Sequence, residues 1–401
     1  MAQGRTRRPP LRAGAPAPSG GVSVVVPARD EAERIGPCLA GLASDPDVAE
    51  TIVVVDHDDH SPTAAVAEAG GARVVVTPPL PSGWVGKPWA LQHGLEAAGG
   101  AVFATLDADT RPLPGLFTAL ARELEDGADL VTAGTRFVCE TAGERLLHPA
   151  MLATLVYRFG PAGAEDSGSE RAHRALANGQ CQAFRREQLL AAGGFTRTPD
   201  RMTDDIALAR SLAAEGWRIR FLDGADLISV RMHASMREVW REWGRSLSMQ
   251  DVTPRRWQAL DLLVLWLAMA LPLVRVVARR ANALDVLLAA VRFALLLPLR
   301  RVYERRGIAF WLSPLVDVVA AGRLTLSTVR PIRTWRGRTY PRGGAPRVER
   351  PQGRVRARAL ARADAPRAAQ AKSSSSASSS LTASSHPGHH SRASSGEPQA
   401  P

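Results

Sequence analysis

The chain has 401 residues, 45% of them apolar, enough for one large domain or two ordinary ones and too many for a small disulfide-stapled scaffold. Its cysteines, Cys38, Cys139 and Cys181, are odd in number and widely spaced, which fits neither a zinc ribbon nor a secreted disulfide framework and points to a reducing compartment. The net charge of +12 excludes a nucleic-acid partner by its placement: residues 21–254 carry 22 basic against 32 acidic side chains, while residues 255–340 carry 15 Arg against 4 acids and residues 341–401 carry 10 basic against 3 acidic ones.

In chain order, residues 1–20 are rich in Pro, Gly and Arg, lack an apolar run, and are expected to form a disordered leader, not a signal peptide. Residues 21–254 alternate. Short β-branched runs at Val22–Val26, Thr51–Val55, Arg73–Val76 and Val102–Leu106 are separated by helically spaced stretches at Glu31–Leu42, Pro62–Ala69 and Trp89–Ala97. Near-continuous apolar strands with helices between them predict an α/β domain, a mostly parallel sheet covered on both faces, with ligands at the carboxyl ends of the strands.

Residues 255–340 change character and are expected to be membrane-associated helices. Leu262–Val274 is wholly apolar, 284–299 is interrupted by Asp285 and Arg292, and 308–329 by a few polar residues including Asp317 and Arg323. None reaches the ~20 uninterrupted apolar residues of an ideal span. A mid-segment Arg costs roughly 2.5–3.5 kcal/mol, which several Leu at about −0.5 each offset. Arg clusters at 275–280, 300–306 and 330–338 flank these segments, as at a membrane surface, and the alternative is a helical subdomain packed on itself. Residues 341–401, Ser-rich with His386, His389 and His390, read as a disordered basic tail.

Four features follow the strand ends, where this architecture places its site. The first strand runs into Pro27-Ala-Arg-Asp-Glu31, the second ends at Asp56, and the fourth ends in Asp107-Ala-Asp109. Lys87, one of only two lysines, stands in Gly83-Trp-Val-Gly-Lys-Pro-Trp89 before a helix. Two carboxylates at i and i+2 released from a buried strand suit a divalent cation with hard oxygen ligands.

With Ala191-Ala-Gly-Gly-Phe195 and Thr203-Asp-Asp205, this ordered set over residues 22–250 resembles family 2 glycosyltransferases of the GT-A fold. The apolar segments that follow make it similar to the membrane-associated members that glycosylate lipids, such as the hopanoid-associated, carotenoid-acid and ceramide glucosyltransferase types. The resemblance implies that Pro27, Arg29, Asp30 and Glu31 line the nucleoside pocket and that Asp56 accepts from the base, uracil being the expectation. Lys87 and Asp107 face the diphosphate, and Asp107 and Asp109 hold Mg or Mn, with His233 as a further ligand. Asp205 is the general base by motif register, with Asp204 able to exchange roles with it. Gly179, in Asn178-Gly-Gln-Cys-Gln182, falls on the acceptor side, as do Asp204 and Trp240. The segment Arg237-Glu-Val-Trp-Arg-Glu-Trp-Gly-Arg245 lacks the Gln-x-x-Arg-Trp order of processive synthases, so transfer of a single sugar is favoured over polymerisation.

The expected activity is thus inverting, metal-dependent transfer from a nucleotide-sugar donor to a lipid or isoprenoid acceptor at the cytoplasmic face of the cell membrane, with no obligate protein partner. A polysaccharide-type synthase, a sugar nucleotidyltransferase and an inactive membrane scaffold of the same fold are the alternatives. Pro27–Glu31 lacks the Gly-rich loop of a nucleotidyltransferase, and the carboxylates that a scaffold would lose are present.

Overall fold

The structure, a computed structural model, describes residues 8–14, 21–164, 166–330, 334–335, 338–340 and 347–348. Four parallel strands open the domain: β1 (Val22–Ala28), β2 (Val48–Val55), β3 (Arg73–Val76) and β4 (Val102–Leu106). β1 outruns its apolar stretch because Pro27 and Ala28 still pair with Val54 and Val55. After β5 (Thr110–Pro112) come β6 (Leu130–Gly134), β7 (Arg136–Phe137), β8 (Cys181–Arg185), β9 (Ile219–Asp223) and β10 (Ile228–Val230). The main sheet has seven strands in the order β3-β2-β1-β4-β8-β6-β9, and only β8 runs against the rest. β1 has β2 on one side and β4 on the other, so the chain reverses its direction of winding there and leaves a crevice beyond the strand ends. β10 begins at Ile228, just after a turn that Leu227 N–H closes on the Gly224 carbonyl at 2.8 Å; it pairs with β5 and β7 in a second small sheet.

The helices are α1 (Gly36–Ala43), α2 (Thr63–Ala69), α3 (Gly86–Ala97), α4 (Leu116–Glu125), α5 (Ala142–Phe159), α6 (Arg186–Ala191) and α7 (Asp204–Ala214). α1 starts at Gly36, later than the apolar spacing suggests, with Pro37 in its first turn where no backbone donor is needed. Alternation along the strands builds two cores. Val24, Val26, Val53 and Val55 pack with α1 and α4 on one face, and Val25, Ile52 and Val54 pack with α3 and α7 on the other.

Helices continue beyond residue 254, but no break in packing occurs there. A third core joins Leu147 and Met151 of α5 to Trp243, Leu265, Met269, Leu296, Phe310 and Leu324, so the catalytic and C-terminal regions expected as separate domains share an interior. Among the described residues one helical run, Arg255–Val277, is long and apolar enough to cross a membrane. The second apolar segment breaks after Ala283–Ala294, and the third breaks at a 3-10 turn, Ser313–Val316, before Asp317–Val329. Part of the expected leader also lies against the domain: Arg8 pairs with Asp166 at 3.0 Å and Leu11 is buried. The expected disordered tail lies outside the described residues except for Arg347–Val348, which pairs with Arg338–Thr339.

Candidate active site

The site forms where β1, β4, α3 and α7 converge. Asp107 and Asp109 leave β4 in a turn closed by Thr110, whose N–H and hydroxyl both donate to the Asp107 carbonyl, at 3.1 and 2.7 Å. Lys87 lies in the first turn of α3 and donates to Asp107 Oδ1 at 2.6 Å. Asp204 and Asp205 occupy the first turn of α7, where the helix dipole favours acids. The loop entering α7 is held by Asp251, whose carboxylate accepts from the N–H groups of Met202 and Thr203 at 3.0 and 3.2 Å and from the Thr203 hydroxyl at 2.7 Å.

Gly179 connects these elements. Its N–H donates to Asp205 Oδ2 at 2.7 Å, while Ile206 N–H donates to Asp205 Oδ1 at 2.8 Å. A Cβ on Gly179 would stand 3.0 Å from both Asp205 Oδ2 and Lys87 Nζ, so the close approach this glycine permits is that of the two charged groups. Its loop is pinned by Asn178, whose N–H donates to Thr132 Oγ1 at 2.8 Å, and by Gln180, whose Oε1 accepts from the Thr135 hydroxyl at 2.6 Å.

Three acids surround one lysine. Enclosure in the cavity wall pushes Asp204 up to about 7, against the Lys87 ammonium and with the charges of Asp205 and Asp107 adding to the rise. Asp205 is raised for the same first reason, and the Lys87 charge and its two backbone donors oppose the shift. Enclosure works against the Lys87 ammonium, but Asp107, Asp204 and Asp205 outweigh it and raise its proton affinity.

These groups line one end of a cavity of about 580 Å³ that also takes in Pro27, Arg29, Glu31 and Thr203. Its other end is apolar, walled by Leu152, Leu155 and Val156 of α5 and by Leu295, Leu299 and Val302 from the C-terminal helices. Arg29 is buried, with Nε and Nη1 lacking a hydrogen-bond partner among the described residues and Asp56 3.8 Å from Nη1.

Other expected site residues lie elsewhere. Asp30, at φ 53°, is half-exposed and turned to the 57–61 loop, its N–H donating to Asp59 at 2.9 Å and its carboxylate accepting from His60 N–H at 2.9 Å. Asp56 is covered by Arg338, which donates to its two oxygens at 3.0 and 3.1 Å. His233 does not line the cavity; its ring lies 5.8 Å from that of His148 and 6.1 Å from that of Trp243, and burial pushes it down to about 4. Among the described residues, no three His, Cys, Asp or Glu side chains are grouped to hold a metal ion. Trp240 is partly exposed with the Arg323 guanidinium over its ring, and Trp243 takes the place on the cavity wall expected of it. Sequence reasoning missed Arg338, Tyr340 and Asp251. Asp251 follows no strand, and the other two stand at the end of the region read as membrane-associated, where the Arg cluster at 330–338 reads as flanking charge.

The sequence pattern of the family described as "Glycosyltransferase like family 2" matches residues 18–260. Uncharacterized glycosyltransferases of Mycobacterium tuberculosis and Mycobacterium bovis are 32% identical to the chain over 204 residues, which cover 50% of this chain and 83% of theirs. Among solved structures, a glucosyl-3-phosphoglycerate synthase from Mycobacterium tuberculosis, in complex with Mn2+, UDP and glucosyl-3-phosphoglycerate, is 22% identical, covering 59% of this chain and 81% of its own at a TM-score of 0.39. A mannosyltransferase from Pyrobaculum calidifontis, in complex with GDP-Man and Mn2+, is 18% identical, covering 79% and 89% at a TM-score of 0.48.

Proposed function

The chain belongs to glycosyltransferase family 2, and from that premise we propose that it transfers one sugar, with inversion, from a nucleotide-diphosphate donor to an acceptor with a long apolar chain, a membrane lipid or isoprenoid. The observation that carries this reading is the two-ended cavity. Lys87, Asp107, Asp109 and Asp205 stand at one end and the aliphatic side chains of α5 and the C-terminal helices at the other, so a polar head and an apolar tail fit one continuous space.

Asp107 and Asp109 offer hard carboxylate oxygens on a single wall, and the Lys87 ammonium on Asp107 marks that wall as one that attracts positive charge. The set suits Mg2+ or Mn2+, an ion that when bound neutralises the charge gathering on a departing diphosphate. Lys87 brings a second positive charge to the same side, and Arg29 Nε and Nη1, near Asp30 and Asp56 but without a hydrogen-bond partner among the described residues, offer donors toward the nucleotide. Asp205, fixed by two backbone donors, takes the proton of the acceptor hydroxyl. Its raised proton affinity makes it a stronger base than an exposed carboxylate. The apolar walls exclude water, which would otherwise compete with the acceptor for the donor sugar.

Exposed apolar side chains concentrate in the C-terminal helices, among them Leu263, Leu267, Val277, Leu287, Ile308 and Val329, and the flanking Arg clusters suit anionic headgroups. This face supports placement on the cytoplasmic side of the membrane. The test is mass spectrometry of lipid extracts from cells with and without the gene, followed by transfer with the purified protein. A glycolipid missing from the deleted cells, and transfer abolished by chelation or by Asp107→Ala with Asp109→Ala, are the expected results. Unchanged lipids and full activity of the double variant would refute the proposal.

A further inference from the structure

The cleft between the end of β2 and the start of α3 is where the family reading puts the nucleoside, and in the folded chain it is filled from within. Arg338 stands 282 positions along the chain from Asp56 and lays a fork across it, Nη1 on Oδ2 at 3.0 Å and Nη2 on Oδ1 at 3.1 Å. It also pairs with Asp58 and is 1% exposed. Tyr340 is buried beside it, its hydroxyl accepting from Gly86 N–H at 3.4 Å, one residue from Lys87. The fit is close: a Cβ on Gly86 would lie 3.2 Å from Arg338 Nη1 and from Asp56 Oδ2, and 3.3 Å from the Tyr340 hydroxyl.

A carboxylate spanned in its plane by a guanidinium has little left to accept the N–H of a base. Asp56 Oδ1 takes a third bond, from Asp58 N–H at 2.9 Å. The backbone pairing around the strap is short. Arg338 Nε is buried without a hydrogen-bond partner, and residues 334–335, 338–339 and 347–348 form only two-residue strands. Without a nucleotide, a buried Asp56 needs hydrogen-bonded positive partners, and Arg338 supplies the direct one while Arg29 stands 3.8 Å away.

Resting on the reading of this cleft as the donor site, we propose that residues 338–340 are a self-inhibitory strap that competes with the donor nucleoside for Asp56 and is released when the nucleotide binds. Apparent donor affinity is then reduced by the fraction of molecules with the strap seated.

Binding of UDP with Mn2+ to the purified full-length chain, measured by calorimetry, tests this. Arg338→Gln is expected to tighten UDP binding by roughly 10-fold, for a strap seated about nine-tenths of the time. Tyr340→Phe shifts affinity the same way by a smaller factor and leaves every charge in place, so it decides the matter if Arg338→Gln folds poorly. In the wild type, UDP with Mn2+ should speed tryptic cleavage after Arg338. Weaker UDP binding by Arg338→Gln, or protection of Arg338 by UDP, overturns the strap and makes Arg338 a wall of the donor pocket. Failure of both UDP and GDP to bind wild type and either variant would instead sink the donor-site reading itself.

Discussion

Asp204 and Asp205 are adjacent in sequence and chemically alike, yet only Asp205 has both oxygens fixed by backbone donors, from Gly179 and Ile206. That favours Asp205 as the base, since a proton acceptor has to be held in line with the reacting centre. Asp205→Asn should lower turnover by ~10² to 10⁴ while UDP affinity changes little, and Asp204→Asn should keep more of the rate. Parallel calorimetry and transfer assays check this, and a dead Asp204→Asn beside an active Asp205→Asn would reverse the assignment. An acceptor carboxylate, already ionised at neutral pH, needs no base, so only a modest loss in Asp205→Asn with metal dependence intact would identify an acid acceptor. Gly179→Ala probes the same contact from its other side. The added methyl has to push apart Asp205 and Lys87, so turnover should fall at least ~10-fold while the thermal midpoint moves little, because the crowding is between side chains at a cavity wall.

At the scale of elements, α5 and the C-terminal helices form the apolar half of the cavity, and their mutual packing depends on charges that look misplaced in the sequence. Arg292 and Asp317 interrupt two apolar segments, but they meet at 2.7 and 2.9 Å with each side chain 1% exposed, and so join the helix Ala283–Ala294 to the helix Asp317–Val329. A buried pair of this kind contributes little net stability, whereas loss of one partner costs about 3–5 kcal/mol because the other is left uncompensated. Val156 of α5 and Leu299 of the C-terminal helices both line the cavity. A carboxylate there opposes an apolar chain without touching the donor end. Val156→Asp or Leu299→Asp should therefore abolish transfer to a lipid acceptor while UDP affinity with Mn2+ stays within about twofold, as read by calorimetry beside the transfer assay. Equal transfer by wild type and variants would place the acceptor elsewhere.

For the whole molecule, the exposed apolar face of the C-terminal helices predicts sedimentation with membranes and resistance to release by salt, because charge attraction is screened while buried apolar area is not. Recovery in the soluble fraction without detergent would favour helices that pack only on themselves. The shared third core also alters what truncation does. A chain ending at Trp257 reads in the sequence as a free catalytic domain, but it would strip Leu265, Met269, Phe310 and Leu324 from Leu147 and Met151 of α5. It should aggregate, by light scattering, where the full chain in detergent does not.

The sequence by itself determined the α/β class, the four opening strands and the place of Asp107 and Asp109 just past the fourth, because each rests on local signals: apolar runs of strand length and polar residues released just past them; Lys87 and Asp205 drew their roles from the resemblance to the family's ordered motifs. Period and spacing act over a few residues, so these features were legible in linear order. Tertiary structure alone decided which of them meet. Gly179 leaves room for Asp205 and Lys87 where a Cβ would crowd both, Trp243 and not Trp240 reaches the cavity, Asp30 turns to a neighbouring loop, and Arg338 closes on Asp56 from the far end of the chain. Such pairings depend on the crossing of helices and on which buried charge finds a partner. Those outcomes are set by burial and complementary charge summed over the packed molecule, and no local pattern encodes them.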